Sequence, residues 1–124
     1  MMWLLVGVGG ALGSMARYGI NQAADLWLPA DFPFGTFIVN AAGCLAFGVI
    51  AGIGERSGVM TPALRVFCLT GVLGGLTTFS SYSYESFALA RGGTWGLVLL
   101  NAIGQLIVGF AAVAGGWWAA RSLV

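Results

Sequence analysis

Histidine and lysine are both absent from this chain of 124 residues, and its whole formal charge rests on five arginines and four carboxylates. Only 7% of residues are charged while 59% are hydrophobic, with a mean hydropathy of +0.94. That balance excludes an ordinary soluble domain. No cluster of basic residues marks a nucleic-acid surface or a lipid-headgroup patch. The two cysteines, Cys44 and Cys68, stand alone inside apolar runs, so neither a CxxC redox pair nor a metal site is signalled and both read as small core residues. An enzyme is not expected, because thiol chemistry needs paired cysteines and covalent catalysis needs a base beside a nucleophile.

What the chain does contain is four apolar runs, Trp3 to Ala24, Phe34 to Gly54, Leu64 to Ala90 and Trp95 to Ala120. Each is near the ~20 residues that a membrane-spanning helix requires. The predicted fold is all-α: a single four-helix transmembrane domain over residues 1–124, with a break in the third helix. The first run has no basic start, outlasts a signal peptide's apolar region and carries Arg17 late, so it is expected to remain in the mature protein. Turn-like connections lie at 28–33, 55–62 and 91–94, leaving no room for a soluble catalytic or ATP-hydrolysing domain.

With four spans, Arg56, Arg65 and Arg121 fall on one side of the membrane and Arg17 and Arg91 on the other. Orientation follows arginine and lysine bias, and here the bias is almost nil. Insertion in both directions, and from it an antiparallel homodimer about an axis in the membrane plane, is the expectation. Gly9 with Gly13, Gly48 with Gly52 and Gly71 with Gly75 repeat at the four-residue spacing of close helix contacts.

The third run crowds glycines, hydroxyls and aromatics into Gly71-Val-Leu-Gly-Gly-Leu-Thr-Thr-Phe-Ser-Ser-Tyr-Ser-Tyr-Glu85. In hydrocarbon every backbone N–H and C=O needs an internal partner, so irregular backbone persists only where it lines a cavity or is buried in protein. Gly74 and Gly75, followed by Leu76, Thr77 and Thr78, are expected to free carbonyls. In an antiparallel pair the two breaks would meet as an oxygen cage suited to a hard monovalent cation.

Polar groups outline a track through the spans. Thr36 and Asn40 lie one turn apart on the second run, and Asn101 and Gln105 are four apart on the fourth. The third run adds the hydroxyls of Thr78 and Ser81 and the rings of Phe79 and Tyr82. Singly, such residues are most often interhelical glue at ~0.6 kcal/mol or somewhat more, and aromatic pairs at helical spacing are packing. Together, neutral donors suit a small anion, replacing its water without holding it too tightly, and aromatic edges turned to a pore favour anions while faces favour cations.

Two charges sit within the runs. Arg17 reads either as an interfacial anchor or as a vestibule group that draws anions inward. Glu85 reads either as a proton or cation site or, the favoured reading since no second acid or histidine continues a relay, as a group hydrogen bonded to a hydroxyl or paired with an arginine.

These residues carry a resemblance that runs nearly end to end. Gly9-Gly-Ala-Leu-Gly13 with Arg17-Tyr18, Gly35-Thr-Phe-Ile-Val-Asn40 and the stretch from Gly74 to Glu85 resemble, in that order, the Fluc or CrcB family of small fluoride channels. The resemblance implies a dual-topology homodimer in the cell (plasma or inner) membrane, with two antiparallel pores passing F⁻ by electrodiffusion and so conferring fluoride resistance. It implies that Asn40 donates to fluoride, that Phe79 and Tyr82 take the places of two pore aromatics, and that Thr36 joins the polar track. A structural Na⁺ would be held by the Gly74 and Thr77 carbonyls of both subunits. Tyr82 departs from the family's usual Phe, and Asn101 and Gln105 stand where family members place Tyr and Ser. The main alternative is a proton-coupled exporter of cationic drugs of the small multidrug-resistance type, which needs a carboxylate in the first run and finds none there. A structural subunit of a larger complex would leave the donor stripes and the break unexplained.

Overall fold

The computed structural model describes residues 1–57 and 60–123. Gly58, Val59 and the Arg56 side chain, part of the predicted 55–62 connection and of the arginine balance, lie outside the described residues. The described chain is helical with no strand: α1 (Met2–Trp27), α2 (Phe34–Ser57), α3 (Pro62–Arg65), a π-helical stretch (Val66–Leu73), α4 (Gly74–Leu76), α5 (Phe79–Arg91) and α6 (Trp95–Leu123).

Helix ends follow local chemistry. Leu28 closes α1 in extended conformation, φ −119° and ψ 156°, because the ring of Pro29 clashes with a helical predecessor. Thr61 caps α3 by accepting from the Leu64 N–H at 3.2 Å, with Pro62 at the first helical position, where its missing N–H costs nothing. After α5, Gly93 has φ +75°, a conformation that a side chain would strain.

Three segments are long and apolar enough to cross a membrane: Phe34–Glu55, Pro62–Arg91 and Trp95–Leu123. At 1.5 Å per residue, α1 is about 39 Å long, also enough to span. It is less apolar than the other three because it carries Arg17, Ser14 and several glycines, of which Gly9, Gly13 and Gly10 meet neighbouring backbone. Ser14 Oγ donates to the Gly75 carbonyl at 3.5 Å and Arg17 Nη1 to the Thr77 carbonyl at 3.3 Å. Four helical passes therefore fit a multi-pass membrane protein.

Glycine sets the packing. α1 lies on the π-helical stretch with Gly9 against the Phe67 carbonyl and the Gly71 Cα, Gly13 against Val72 and Leu76 backbone, and Gly75 against Gly10 backbone. α2 and α6 cross through Gly48 and Gly52, which face Val113 and Trp117 backbone, and Gly116, which faces Leu45 and Val49. At these places backbone meets backbone, the close approach small residues permit in lipid. The far ends of α2 and α6 are tied by Trp117 Nε1 donating to Glu55 Oε2 at 3.0 Å, with the Arg121 guanidinium 4.3 Å over the Trp117 ring.

Polar side chains are buried while large apolar ones face outward. The most completely buried side chains are Val39, Asn101 and Thr36, whereas Phe79, Phe110 and Trp118 are each more than two-thirds exposed. That inversion suits a lipid solvent, in which the groups needing cover are the polar ones.

Candidate functional site

Between α4 and α5 the backbone leaves the helix for two residues. Thr77 has φ −82° and ψ 156°, and Thr78 has φ −150° and ψ 119°, while Gly74 to Leu76 remain helical. Helical continuation would have paired the Thr78 N–H with the Gly74 carbonyl. Instead it donates 2.8 Å to Asn40 Oδ1, and Asn40 Nδ2 donates back to the Thr78 carbonyl at 3.1 Å. Asn40 thus satisfies both polar groups of a residue only 8% exposed, two groups that would otherwise be unpaired in an apolar setting. Thr78 is also the N-cap of α5, its Oγ1 accepting from the Ser81 N–H at 3.2 Å and donating to Ser81 Oγ at 3.1 Å.

From Asn40 the polar contacts continue into α6. Asn40 Nδ2 donates to Gln105 Oε1 at 2.8 Å, Gln105 Nε2 to Asn101 Oδ1 at 2.7 Å, and Asn101 Nδ2 to Ser86 Oγ at 3.0 Å. Ser86 Oγ then donates to the Tyr82 carbonyl at 2.8 Å. Tyr82 spends its hydroxyl on the Ala102 carbonyl, 2.8 Å away, so the group that distinguishes it from Phe ties α5 to α6 and orients the ring. The Phe79 and Tyr82 rings lie 5.5 Å apart and tilted by 39°, a contact that packing alone would also favour.

A groove of about 430 Å³ gathers most of the residues the sequence singles out: Gly74, Thr77, Thr78, Phe79 and Tyr82 together with Asn40 and Gln105. Leu69, Leu73, Leu106 and Val113 make its apolar wall. Asn101 is not among its lining; it is wholly buried behind Gln105. Thr36 and Glu85 line a second cavity of about 650 Å³ near the α1–α2 and α5–α6 connections, where Thr36 Oγ1 donates to Glu85 Oε1 at 2.6 Å. Glu85 therefore takes a hydroxyl partner. Arg17 does not face that cavity's lining but reaches the Thr77 carbonyl at the edge of the first groove.

Sequence reasoning passed over Ser86. It stands four residues after Tyr82, so helical spacing from the aromatic pair was the signal that places it on the α6-facing side of α5. Among the described residues no group of three or more His, Cys, Asp and Glu side chains is placed to hold a metal.

Known proteins place this arrangement in context. The profile of the family described as CrcB-like protein, Camphor Resistance (CrcB), matches residues 4–117. A fluoride-specific ion channel FluC of Nitratidesulfovibrio vulgaris is 48% identical over 108 residues, 87% of each chain. A protein of the same name from Maridesulfovibrio salexigens is 41% identical and covers 98% of this chain and 97% of its own, and one from Thermus thermophilus is 46% identical over 86% and 85%. With a family match over nearly its whole length, and relatives this similar along most of theirs, the chain belongs to the CrcB-like family.

Proposed function

We propose that the protein is a fluoride-selective channel, passing F⁻ passively down its electrochemical gradient through two antiparallel pores of a homodimer. The observation that carries this reading is the Asn40 amide, a neutral hydrogen-bond donor set in an apolar-walled groove beside the Phe79 and Tyr82 rings. Fluoride is small and strongly hydrated, and crossing hydrocarbon requires that its water be replaced by donors. Hydrogen bonds to an anion are stronger than those between neutral groups, so a few amide and hydroxyl donors suffice without a fixed charge that would trap the ion. The Arg17 guanidinium supplies positive potential at the Thr77 edge of the groove.

A second copy has a reason to cover this face. Phe79 is 76% exposed and Gly74 is exposed as well, although both line the groove that holds the donors. Antiparallel pairing, supported by the near-even division of arginines, would bring two such faces together. It would also bring together the carbonyls of Gly74 and Thr77. These residues fit a cation: the Gly74 carbonyl has lost its ordinary helical N–H to Asn40, and the Thr77 carbonyl, with two lone pairs, accepts only the 3.3 Å contact from Arg17 among the hydrogen bonds described. Na⁺ bound there would supply a fixed positive charge and link the subunits.

Fluoride efflux from liposomes holding the purified chain tests the proposal, with a K⁺ gradient, valinomycin to carry compensating charge, and chloride as control. Fast valinomycin-dependent loss of fluoride with chloride retained is expected. No flux from a folded dimer would sink the reading. The drug-exporter alternative is not favoured, since the one acid on α1 is Asp25 near its exposed end and Glu85 is engaged with Thr36.

Phe79→Ile is expected to lower fluoride flux while the chain still folds, because a ring with a positive edge is replaced by a nonpolar group. Unchanged flux in the folded variant would assign the ring to packing.

A further inference from the structure

We propose that an anion displaces Gln105 from Asn40 and reverses the direction of the hydrogen-bond relay through Gln105, Asn101 and Ser86, turning Gln105 from the acceptor that closes the Asn40 donor into a second donor to the ion. This rests on the channel reading above and concerns how that same site opens.

The relay has one direction at rest, and a single backbone group sets it. The Thr78 N–H can only donate, so the oxygen of Asn40 must face it, 2.8 Å away. Asn40 Nδ2 is then the end that meets Gln105, whose Oε1 accepts at 2.8 Å. That leaves Gln105 Nε2 to donate to Asn101 Oδ1, and Asn101 Nδ2 to donate to Ser86 Oγ. The last hydrogen in the series belongs to Ser86 and goes to the Tyr82 carbonyl.

An amide nitrogen carries two hydrogens, and both on Asn40 are committed, one to the Thr78 carbonyl and one to Gln105 Oε1. An ion reaching Asn40 must therefore displace an acceptor. The Thr78 carbonyl belongs to backbone already paired twice with Asn40, whereas Gln105 Oε1 ends a rotatable side chain. Gln105 is the partner that yields. While it stays, its carbonyl dipole presents negative charge to the lane and excludes anions.

If Gln105 only moved aside, its oxygen would be left unpaired at a residue just 9% exposed, beside an Asn101 that is wholly buried. Neither amide can turn to bulk water, so leaving either unsatisfied carries a full desolvation penalty. Inversion avoids this. A half turn of the Gln105 amide presents Nε2 to the ion, a half turn of Asn101 presents its Nδ2 to Gln105 Oε1, and rotation of the Ser86 hydroxyl sends its hydrogen to Asn101 Oδ1. These terminal amide torsions are broad and roughly two-fold, so both orientations lie within reach. No proton changes owner. Apart from the Asn40–Gln105 bond, which the ion replaces, the one contact surrendered is from Ser86 Oγ to the Tyr82 carbonyl, and an interior helical carbonyl keeps its own backbone partner. The relay can turn over as a unit because it ends on a hydroxyl, which both donates and accepts.

The test is side-chain amide NMR of the ¹⁵N-labelled full chain in lipid nanodiscs, titrated with sodium fluoride and, as control, sodium chloride, alongside liposome flux. Asn40, Gln105 and Asn101 signals are expected to move together along one saturation curve with fluoride and to stay still with chloride. Ser86→Ala removes the rotor; flux is expected to fall about five-fold, the factor for a single hydrogen bond, and the Gln105 and Asn101 signals to cease following the ion. Ser86→Thr, which keeps the hydroxyl, is expected to recover most of both. Movement of Asn40 alone in the wild-type spectra would overturn the inversion and leave the channel intact, and this readout needs no variant to fold. Wild-type flux and spectra in Ser86→Ala would overturn it too. Neither flux nor spectral response from the wild type would overturn the channel reading and the inversion with it.

Discussion

Asn40→Ser is expected to reduce fluoride flux by at least about ten-fold and to lower thermal stability as well, because one side chain serves both the ion and the backbone. Serine is too short to span the Thr78 peptide and Gln105 together. The lost donor to an anion corresponds to about 1.5–3 kcal/mol, which sets the ten-fold figure. The Thr78 N–H and carbonyl lose the partners that stand at 2.8 and 3.1 Å. Each buried polar group so orphaned costs about 1–3 kcal/mol unless water enters. Asn40→Asp keeps the acceptor and loses the donor. Its oxygen still accepts from the Thr78 N–H, but no hydrogen remains for an anion, for the Thr78 carbonyl or for Gln105, and a negative charge is added in an apolar setting, so flux should vanish and the Thr78 N–H alone keeps its partner. The check is flux and a thermal transition measured on both purified variants. Normal flux in folded Asn40→Ser would remove Asn40 from the pathway, and normal stability would mean the extended pair holds itself.

Gly13→Ala is expected to have the largest structural effect of any single methyl added to the chain. A Cβ at Gly13 would run into the Val72 carbonyl and the Leu76 N–H, both backbone atoms that cannot rotate away. α1 must then lift from the π-helical stretch, at a cost near the top of the ~1–3 kcal/mol range for overpacking. That movement would also withdraw Arg17 from the Thr77 carbonyl and Ser14 from Gly75, so flux should fall with stability. Gly19→Ala is the contrast: nothing lies within 4 Å of its added Cβ, and replacing a mid-helix glycine favours the helix by roughly 0.5–1 kcal/mol. Thermal transitions of the two variants should shift in opposite directions. A shared direction would mean that α1 is not seated as described.

Much of this molecule is written in its hydropathy. The runs Phe34 to Gly54 and Trp95 to Ala120 begin where α2 and α6 begin and stop within three residues of their ends. Lipid makes this possible, since every residue in hydrocarbon must be helical and apolar unless something local pays for the exception. Glycine spacing was equally legible: four-residue repeats mark where backbones can touch, and Gly13, Gly48 and Gly75 each meet a neighbouring backbone. The order of residues in the third run also pointed to polar side chains inside it, and Thr78 is buried there.

Partnership was beyond the reach of sequence. The glycines at 74 and 75 suggested where the helix would loosen, yet they are helical and the extended residues are Thr77 and Thr78. That outcome depends on Asn40, 38 residues earlier, offering an amide that replaces the helical bonds Thr78 gives up. Arg17, read from sequence as an interfacial anchor or a vestibule group, reaches across 60 residues of sequence to the Thr77 carbonyl, a partner no spacing pointed to. The Tyr82 hydroxyl, free to serve as a pore donor as far as sequence can tell, is spent on Ala102. Sequence by itself determined where the long apolar helices run and which side chains carry donors, because those properties depend on each residue and the solvent around it. Only the tertiary structure decided which donor meets which acceptor. Hydrogen bonds are directional and reach about 3 Å, so a small shift or rotation of one helix against another changes every pair across their interface.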